Sequence, residues 1–370
     1  MLDFSLARSP FALARCLLAV CVAFASIAPF TLAQEVAAEA VPSKSDTTAA
    51  SSPKLKIFVL MGQSNMVGFG RIADPGKKGT LEEVCKASET FAHWRGEDGA
   101  WVSRDDVYCV KTTVGQKQGW LAPGFGARDH FFGPELQFGH VLGEHFEEPV
   151  LIIKASQGNR SLGWDILPPG SERFEFEGRT YAGYKDTPDS WVEGQPKKEV
   201  NWYAGKQYDD FVSDIRAVLA DLPKFYPANR GQGYEVAGFG WWQGHKDQNA
   251  AHAGRYEQNL VRLIEALREE FAAPKAPFVI ATIGFGGAAM KGHALTVLEA
   301  QLAVSGERGK YPQFEGNVKT FDARPFWRDA AVSPNDRQDY HYFHNAETYL
   351  LVGDGMGRAM VELLGMRRGG

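Results

Sequence analysis

The chain has 370 residues, of which 44% are hydrophobic, 12% aromatic and 23% charged, and its formal net charge is −5 at pH 7. This composition is too apolar and too aromatic for intrinsic disorder, and the charge gives no sign of a nucleic-acid or anionic-membrane partner. Four cysteines are too few for a disulfide-stapled scaffold. The length allows two average domains, but single α/β domains are often this long. We therefore expect a globular enzyme or binding protein.

The first 33 residues have the pattern of a secretory signal peptide. Arg8 and Arg15 precede a short apolar run at 16–25, and small residues at 31–33 end the segment. The alternative is an uncleaved anchor, but the run is shorter than the ~20 residues that a membrane-spanning helix needs. The pattern predicts a secreted or periplasmic protein with no membrane attachment after cleavage.

Residues 34–53 are rich in Ala, Ser, Thr, Pro and Glu and contain no aromatic residue, which is typical of a flexible linker. We expect one folded domain over residues 54–370. Of the four cysteines, only Cys85 and Cys109 lie in that domain. In an oxidising compartment they could form a disulfide, and the alternative is two free thiols.

Strand and helix patterns alternate along the predicted domain. Five apolar runs predict buried parallel strands; they span 56–61, 149–155, 235–242, 277–283 and 317–323. Amphipathic patterns predict helices, which span 134–146, 208–222, 254–271, 288–304 and 346–364. The alternation predicts a three-layer α/β fold, in which a doubly wound sheet of about five parallel strands carries helices on both faces.

Two long stretches, residues 68–132 and 158–206, do not fit this alternation. Loops of this length in a compact domain are usually functional, and sites in open α/β sheets lie beyond the carboxyl ends of the strands. The two stretches contain Trp94, Trp101, Trp120, Trp164, Trp191 and Trp202. We interpret most of these as packing residues, and the alternative for the others is a flat surface for sugar rings.

The first predicted strand ends at Gly62-Gln63-Ser64. A serine in a tight turn from strand to helix exposes its Oγ, and the backbone N–H groups behind it point toward the atom that it attacks. Ser64 is therefore a candidate nucleophile, although a lone Gly-x-Ser after a strand is a weak signal. The nine histidines are scattered, and no metal-site spacing or phosphate-binding loop is present. We expect no metal and no cofactor.

Several motifs, taken in order, resemble one family. Gly-Gln-Ser-Asn-Met at 62–66 follows the first strand, Gly-Pro-Glu-Leu at 133–136 precedes the second, and Trp-Trp-Gln-Gly at 241–244 ends the third. Together with the loop at 153–162, these motifs strongly resemble the sialate O-acetylesterase and acetylxylan-esterase-like branch of the SGNH hydrolases. The resemblance covers essentially the whole predicted domain and implies the flavodoxin-like SGNH hydrolase fold.

The resemblance also implies acyl transfer to water. Ser64 would attack an acetyl carbonyl, and His341, which falls where the family has its catalytic histidine, would take up and return the proton. The backbone N–H groups of Ser64 and Gly158 and the Gln243 side chain are the candidate oxyanion donors, with Asn159 beside them as a substrate-binding candidate. His344, three residues later, is the alternative to His341.

The acid of the triad is not fixed by the resemblance. The family motif continues with Glu after Trp-x-Gln-Gly, but this chain has His245 there. Many SGNH enzymes have Asp three residues before the catalytic histidine, where this chain has Gln338. We expect Asp339 or Asp336 to orient His341, with Asp247 in reserve, and a Ser-His dyad is the alternative. The role of His245 stays open between substrate contact and structural replacement.

These observations predict a serine esterase that removes O-acetyl groups from a glycan, with an acetylated carbohydrate as its substrate. One alternative is a carbohydrate-binding protein on an esterase scaffold with impaired catalysis, because His245 replaces the family Glu. Another is a lipase or thioesterase with the same serine chemistry. The sequence does not specify the glycan or the oligomeric state.

Overall fold

A computed structural model describes residues 53–368 of the chain. The predicted signal peptide at 1–33, and all but the last residue of the predicted linker at 34–53, lie outside the described residues. These two assignments stay predictions. No helix in the described part is long and apolar enough to cross a bilayer.

The described residues form a seven-stranded sheet and two smaller ones. In chain order the strands are β1 Leu55–Gly62, β2 Gly70–Arg71, β3 Val107–Lys111, β4 Lys117–Trp120, β5 Phe131–Phe132, β6 Val150–Ser156, β7 Phe174–Phe176, β8 Arg179–Tyr181, β9 Ser190–Trp191, β10 Tyr234–Trp242, β11 Phe278–Ala281 and β12 Val318–Phe321. The large sheet has the order β12-β11-β10-β1-β6-β3-β4. Its neighbours are parallel except for the antiparallel pair β3 and β4.

Helices cover both faces of this sheet. They are α1 Ser64–Val67, α2 Leu81–Ala87, α3 Glu135–His145, α4 Lys206–Ala220, α5 Leu222–Phe225, α6 Ala250–Glu270, α7 Gly292–Ala303 and α8 Ala346–Arg368. Helix α3 begins after Pro134, which suits the first turn because its fixed φ is helical and its missing N–H is not needed there. Seven short 3₁₀ helices follow β10 in the described chain.

Alternate residues of β1 belong to two separate apolar cores. Val59 packs with residues of α4, α6 and α7 on one face of the sheet, whereas Phe58 packs with residues of α3 and α8 on the other. Both side chains are fully buried. Because successive side chains of a strand point to opposite faces, a strand buried on both faces is a continuous apolar run. This explains why β1 could be predicted from sequence.

The predicted three-layer α/β fold is confirmed, but the sheet has seven strands, not about five, and one pair of them is antiparallel. All five predicted strands are present, and β3 and β4 extend the sheet beside β6. Both extra strands come from the first long stretch, 68–132. The run that forms β3 lies among charged and glycine residues and is followed by the strand β4, not by a helix, so it falls outside the strand-helix alternation on which the prediction rests.

The second long stretch, 158–206, folds into the small antiparallel sheet of β7, β8 and β9. Trp191 of β9 is buried there, as Trp94 is in the first stretch, whereas Trp120 is 37% exposed. Cys85 and Cys109 are free and buried, so the structure shows the two-thiol alternative. Burial raises the pKa of Cys85 to about 11 and that of Cys109 to about 12, which keeps both as unreactive thiols.

Candidate active site

Three neighbouring strands end at the same place on the sheet edge. Gly62 at the end of β1 pairs with Trp242 of β10 and with Ser156 of β6. The residues that directly follow these strands therefore meet: Ser64 after β1, Gly158 after β6 and Gln243 after β10. This is the carboxyl edge of the parallel strands, where sites of open α/β sheets are found.

The turn into α1 requires a glycine at position 62. Its φ is 156°, and a Cβ placed there would lie 2.2 Å from the carbonyl oxygen of Trp242. Any larger residue would push β1 away from β10. The close approach brings Gln63 and Ser64 directly over the end of the sheet, so the local sequence fixes where the Ser64 hydroxyl lies.

Ser64 is nearly buried, with 8% of its surface exposed, and it is the first residue of α1. Gly158 faces it, since a Cβ added to Gly158 would lie 3.7 Å from the Ser64 Cβ. Within residues 53–368, neither the Ser64 Oγ nor the backbone N–H groups of Ser64 and Gly158 make a hydrogen bond to protein. The hydroxyl and the two backbone donors therefore lie together without protein partners.

Asn159 lies at the outer end of this loop. Its φ is 58°, a left-handed conformation that asparagine tolerates better than most residues, and its side chain is exposed. The turn places this amide in solvent beside Gly158, where a bound molecule could reach it. Arg160, the next residue, donates from Nε to Gln207 Oε1 at 2.8 Å and so ties the loop to the start of α4.

Gln243 is buried and holds the neighbouring loops together. Its Nε2 donates to Asp247 Oδ2 at 2.5 Å, to the Arg160 carbonyl at 2.9 Å and to Gln63 Oε1 at 3.2 Å. Its Oε1 accepts from the Tyr256 hydroxyl at 2.7 Å. An amide nitrogen has two hydrogens, so both are already engaged, and a role as oxyanion donor would require one of these contacts to be released.

Asp247 belongs to the same buried network and lies away from the histidine loop. Its carboxylate accepts from the backbone N–H groups of Leu162 at 2.9 Å and Gly163 at 2.8 Å. Burial raises the pKa of Asp247, while its hydrogen bonds and the nearby His252 oppose this shift. Asp247 therefore fixes the loop that follows Gly158 and does not contact His341.

His341 lies in a strained segment before α8. The next three residues, Tyr342, Phe343 and His344, have φ values of 50°, 51° and 63°. Left-handed backbone costs roughly 1–2 kcal/mol per non-glycine residue, so tertiary contacts must hold it. The buried Tyr342 supplies them, because its hydroxyl accepts from the Gly284 N–H at 2.9 Å and its ring stacks on Trp242 with centroids 5.3 Å apart.

The His341 ring is held by aromatic contacts and by a polar contact with Gln338. It stacks on Phe69 at 3.9 Å between centroids with an interplanar angle of 9°, and its Nδ1 lies 3.4 Å from Gln338 Oε1. Burial, and then the neighbouring His344 and His245, lower the pKa of His341 to about 3. The ring is therefore neutral at pH 7 and able to accept a proton.

The two predicted acids do not contact the histidine in this structure. Asp336 is exposed and lies 3.8 Å from the Arg337 guanidinium, and Asp339 Oδ1 accepts from the Tyr340 N–H at 2.8 Å. No carboxylate of the described residues lies within ion-pair distance of His341. Its polar partner is Gln338, three residues upstream, an amide where a carboxylate was expected.

The other two histidines of this region line the same loop. His344 Nε2 lies 2.5 Å from Gln338 Oε1, and burial lowers the pKa of His344 to about 4. His245 is in edge-on contact with Phe285 and lies beside Tyr340. Among residues 53–368, no three His, Cys, Asp or Glu side chains are grouped as a metal site.

Comparison with known proteins identifies the family of this chain. The sequence model of the family described as carbohydrate esterase, sialic acid-specific acetylesterase, matches residues 54–311. That range includes Ser64 and Gln243 and ends before His341. No curated protein sequence matches the chain.

The solved structures that match the chain are distant in sequence. A protein from Arabidopsis thaliana is 17% identical with a TM-score of 0.48, over 84% of this chain and 98% of that one. A carbohydrate acetylesterase from Xanthomonas citri is 14% identical with a TM-score of 0.47, over 82% and 55% of the two chains. NanS is 12% identical with a TM-score of 0.46, over 86% and 99%.

The family match spans more than two thirds of the chain and includes the serine turn and the strand-end loops that meet at the sheet edge. The predicted membership of an acetylesterase family is therefore confirmed. The chain belongs to the sialic acid-specific acetylesterase family of carbohydrate esterases.

Proposed function

We propose that the protein removes O-acetyl groups from a carbohydrate with Ser64 as the nucleophile. The observation that carries this proposal is the meeting of Ser64 with Gly158 at the sheet edge. The Ser64 Oγ would attack the acetyl carbonyl, and the sugar hydroxyl would leave as the acyl-enzyme forms. Water would then release acetate and restore the serine.

The developing oxyanion would be held by the backbone N–H groups of Ser64 and Gly158. Both are unengaged in the described residues, and backbone donors cost no reorganisation at the moment of reaction. The exposed Asn159 amide is a third donor that could contact the substrate. Gln243 donates to the Arg160 carbonyl, and in this proposal it supports the oxyanion donors from behind.

We propose that His341 accepts the Ser64 proton and passes it to the leaving sugar oxygen. The Ser64 Oγ makes no hydrogen bond in the ligand-free site, and contacts of this kind often tighten only when substrate binds. Asn65 supports this role, because its Nδ2 donates to the Tyr340 carbonyl at 3.1 Å. The residue after the nucleophile thus holds the residue before the histidine.

Gln338, in our proposal, orients His341 in place of the predicted carboxylate. Its Oε1 can accept from the Nδ1–H of His341, which leaves the Nε2 lone pair for the serine proton. An amide orients the ring but adds no negative charge to stabilise the imidazolium that forms. Asp339, the nearer of the two predicted acids in sequence, would need a rotated side chain to take over this role.

Labelling with a fluorophosphonate tests the nucleophile. Wild-type protein should form a covalent adduct that mass spectrometry places on Ser64, and the S64A variant should form none. A binding protein with an inactive site would not be labelled. The S305A variant is a matched control, since Ser305 is a buried serine after α7 whose hydroxyl accepts from the Thr320 N–H, and it should be labelled like the wild type.

The family description makes an O-acetylated sialic acid the first substrate to assay, beside O-acetylated xylan as the neutral alternative. Acetate release from the two, measured with the same enzyme preparation, would show which sugar is preferred. We also propose export of the protein, on the basis of the basic and apolar pattern at 1–33. N-terminal sequencing of the mature protein should then find a start after Ala33.

A further inference from the structure

A cavity of about 410 Å³ lies in the second long stretch, beside the small sheet of β7, β8 and β9. Its volume falls in the range of roughly 300–1,000 Å³ that is usual for small-ligand sites. Two indole rings line it together with polar and aliphatic side chains: Trp164, Arg179, Pro188, Asp189, Ser190, Lys198, Val200 and Trp202. None of these residues takes part in the proposed acyl transfer.

This cavity is connected to the catalytic loop through Arg160. The Arg160 guanidinium lies over the Trp202 ring, 4.8 Å from its centroid, and the Arg160 carbonyl accepts from Gln243. Trp164 follows the loop segment that Asp247 holds. The two tryptophans are therefore fixed by the same network that positions Gly158, two residues before Arg160.

The lining combines aromatic faces with polar groups of both charges. Arg179 makes no ion pair within residues 53–368 and donates to the Ser190 carbonyl at 3.1 Å, and Asp189 supplies acceptor oxygens on the same wall. The Trp202 Nε1–H is buried without an acceptor in the described structure, and an unpaired buried donor is costly. Hydroxyl groups of a ligand can serve as both donors and acceptors to such a wall.

We infer that this cavity is a subsite for a neutral pyranose unit of the glycan, distinct from the unit that carries the acetyl group. The apolar face of a pyranose would pack on the Trp202 or Trp164 ring, and its hydroxyls would bond Arg179 and Asp189. The lining has two cations, Arg179 and Lys198, and one carboxylate, Asp189, and all three residues are exposed, where charge is screened by solvent and salt. The buried contacts that the cavity offers are the indole faces and the unpaired Trp202 Nε1–H, which fit a neutral ring that carries hydroxyls. This inference rests on the proposed function, which makes the bound sugar part of the glycan substrate. The binding test does not depend on that function.

Binding of non-acetylated oligosaccharides tests the subsite without any turnover. Lactose, xylohexaose and cellohexaose are titrated into the full-length protein, with calorimetry as the readout. At least one should bind, and the W202A variant should weaken that binding about tenfold, because a stacked aromatic contact contributes of the order of 1 kcal/mol beyond its buried area. The W120A variant is the matched control, since Trp120 is an exposed tryptophan on β4, and it should bind like the wild type.

A second variant covers the case in which W202A folds poorly. V200F leaves both tryptophans in place and fills the cavity with a larger side chain, so it should weaken binding to the same extent. Hydrolysis of a small aryl acetate, which cannot span both sites, should be unchanged by V200F. Equal binding by wild type, W202A and V200F, or no binding of any of the three sugars to the wild type, would overturn the subsite. Loss of aryl acetate hydrolysis in S64A tests the esterase proposal separately.

Discussion

The side-chain oxygen of Asn65 accepts a hydrogen bond from the Tyr349 hydroxyl at 2.7 Å, although the two residues are 284 positions apart in the chain. The same hydroxyl lies 3.3 Å from the His341 carbonyl, and Asn65 Nδ2 donates to the Tyr340 carbonyl. One asparagine therefore joins the serine turn, the histidine loop and α8. The separation between nucleophile and base depends on these contacts.

Replacing Asn65 should slow catalysis by releasing the histidine loop from the serine turn. In N65D the carboxylate can still accept from Tyr349 but cannot donate to the Tyr340 carbonyl, so the histidine loop loses its link to the serine turn. We expect kcat to fall by about 10- to 100-fold, in line with the sensitivity of catalysis to small misplacements. Steady-state kinetics with an aryl acetate measure the effect. Y349F is the control that removes the other hydrogen bond, and an unchanged kcat in N65D would contradict this role.

The pH dependence of kcat/KM should show whether Gln338 orients His341 in the position that a carboxylate has in a Ser-His-Asp triad. Activity requires neutral His341, whose pKa is lowered to about 3, so kcat/KM should stay high as pH falls well below the 6.5 of an ordinary histidine. In Q338D the new carboxylate favours the imidazolium and raises that pKa. The acid limb of the profile should then move to higher pH. Q338A, which has neither group, is the control for lost orientation, and an unmoved acid limb in Q338D would count against the assignment.

Asp247 should prove important for the fold of the loop and only indirectly for catalysis. D247A leaves the Leu162 and Gly163 N–H groups buried without an acceptor, and each such group costs about 1–3 kcal/mol. We expect urea denaturation to show a loss of several kcal/mol, with kcat reduced because the loop after Gly158 shifts. D247N retains one acceptor oxygen and should lie between D247A and the wild type. A catalytic acid would instead show a large loss of kcat with stability unchanged.

A buried ion pair lies beneath α1, and its replacement tests how much charge pairing under the site contributes to stability. Lys154 Nζ lies 2.7 Å from Glu135 Oε2, both side chains are at most 1% exposed, and the ammonium also donates to the Val67 carbonyl at 2.9 Å. E135Q should destabilise the protein by about 3–5 kcal/mol, because it leaves a buried charge without its partner. The double variant E135L/K154M should recover part of that loss. If the urea denaturation midpoint of E135Q equals that of the wild type, the ion pair does not stabilise the fold.

Acid should destabilise the folded protein through its neutral histidines. His140 stacks on His93 at 3.7 Å between centroids and lies 2.8 Å from Arg104 Nη1. Burial, and then His93 and Arg104, lower the pKa of His140 to about 4. Since this pKa is below that of the unfolded state, the stabilising contribution is complete above pH 6.5 and is lost as pH falls toward 4, by up to about 1.4 kcal/mol per pH unit.

The H140Q variant should lessen this acid sensitivity, because glutamine does not titrate in that range. Urea midpoints measured between pH 4 and pH 7.5 give the slope for each protein. H145Q is the control, since His145 lies on the same helix outside the stack. Equal slopes in H140Q and wild type would show that this ring does not take up the proton on unfolding.

The sequence was sufficient for five strands, including β12 at one edge of the sheet, but not for β3 and β4 at the other side. Strands such as β1 are buried on both faces, so their apolar runs are continuous. β4 forms the other edge and alternates half-buried and exposed residues, and β3, between β4 and β6, is buried but is followed by β4 and not by a helix. Strands in a glycine- and charge-rich context, outside the alternation with helices, give no comparable signal.

The nucleophile turn could be predicted for a physical reason. A serine two residues after a glycine at the end of a buried strand is constrained by local geometry, and Gly62 shows the close approach that this requires. The partner of His341 could not be predicted in the same way. Its segment has three consecutive left-handed residues, so spacing along the chain does not indicate which side chain reaches the ring. Asp336 and Asp339 are near His341 in sequence but point elsewhere.

The most direct test of Ser64 as the nucleophile is the rate of acetate release from an O-acetylated sugar by wild-type and S64A protein under identical conditions. We expect S64A to lose at least about a thousandfold in kcat, because a covalent nucleophile is removed, while its urea denaturation midpoint stays close to that of the wild type. Release by S64A within twofold of the wild-type rate would contradict the role of Ser64 as the nucleophile.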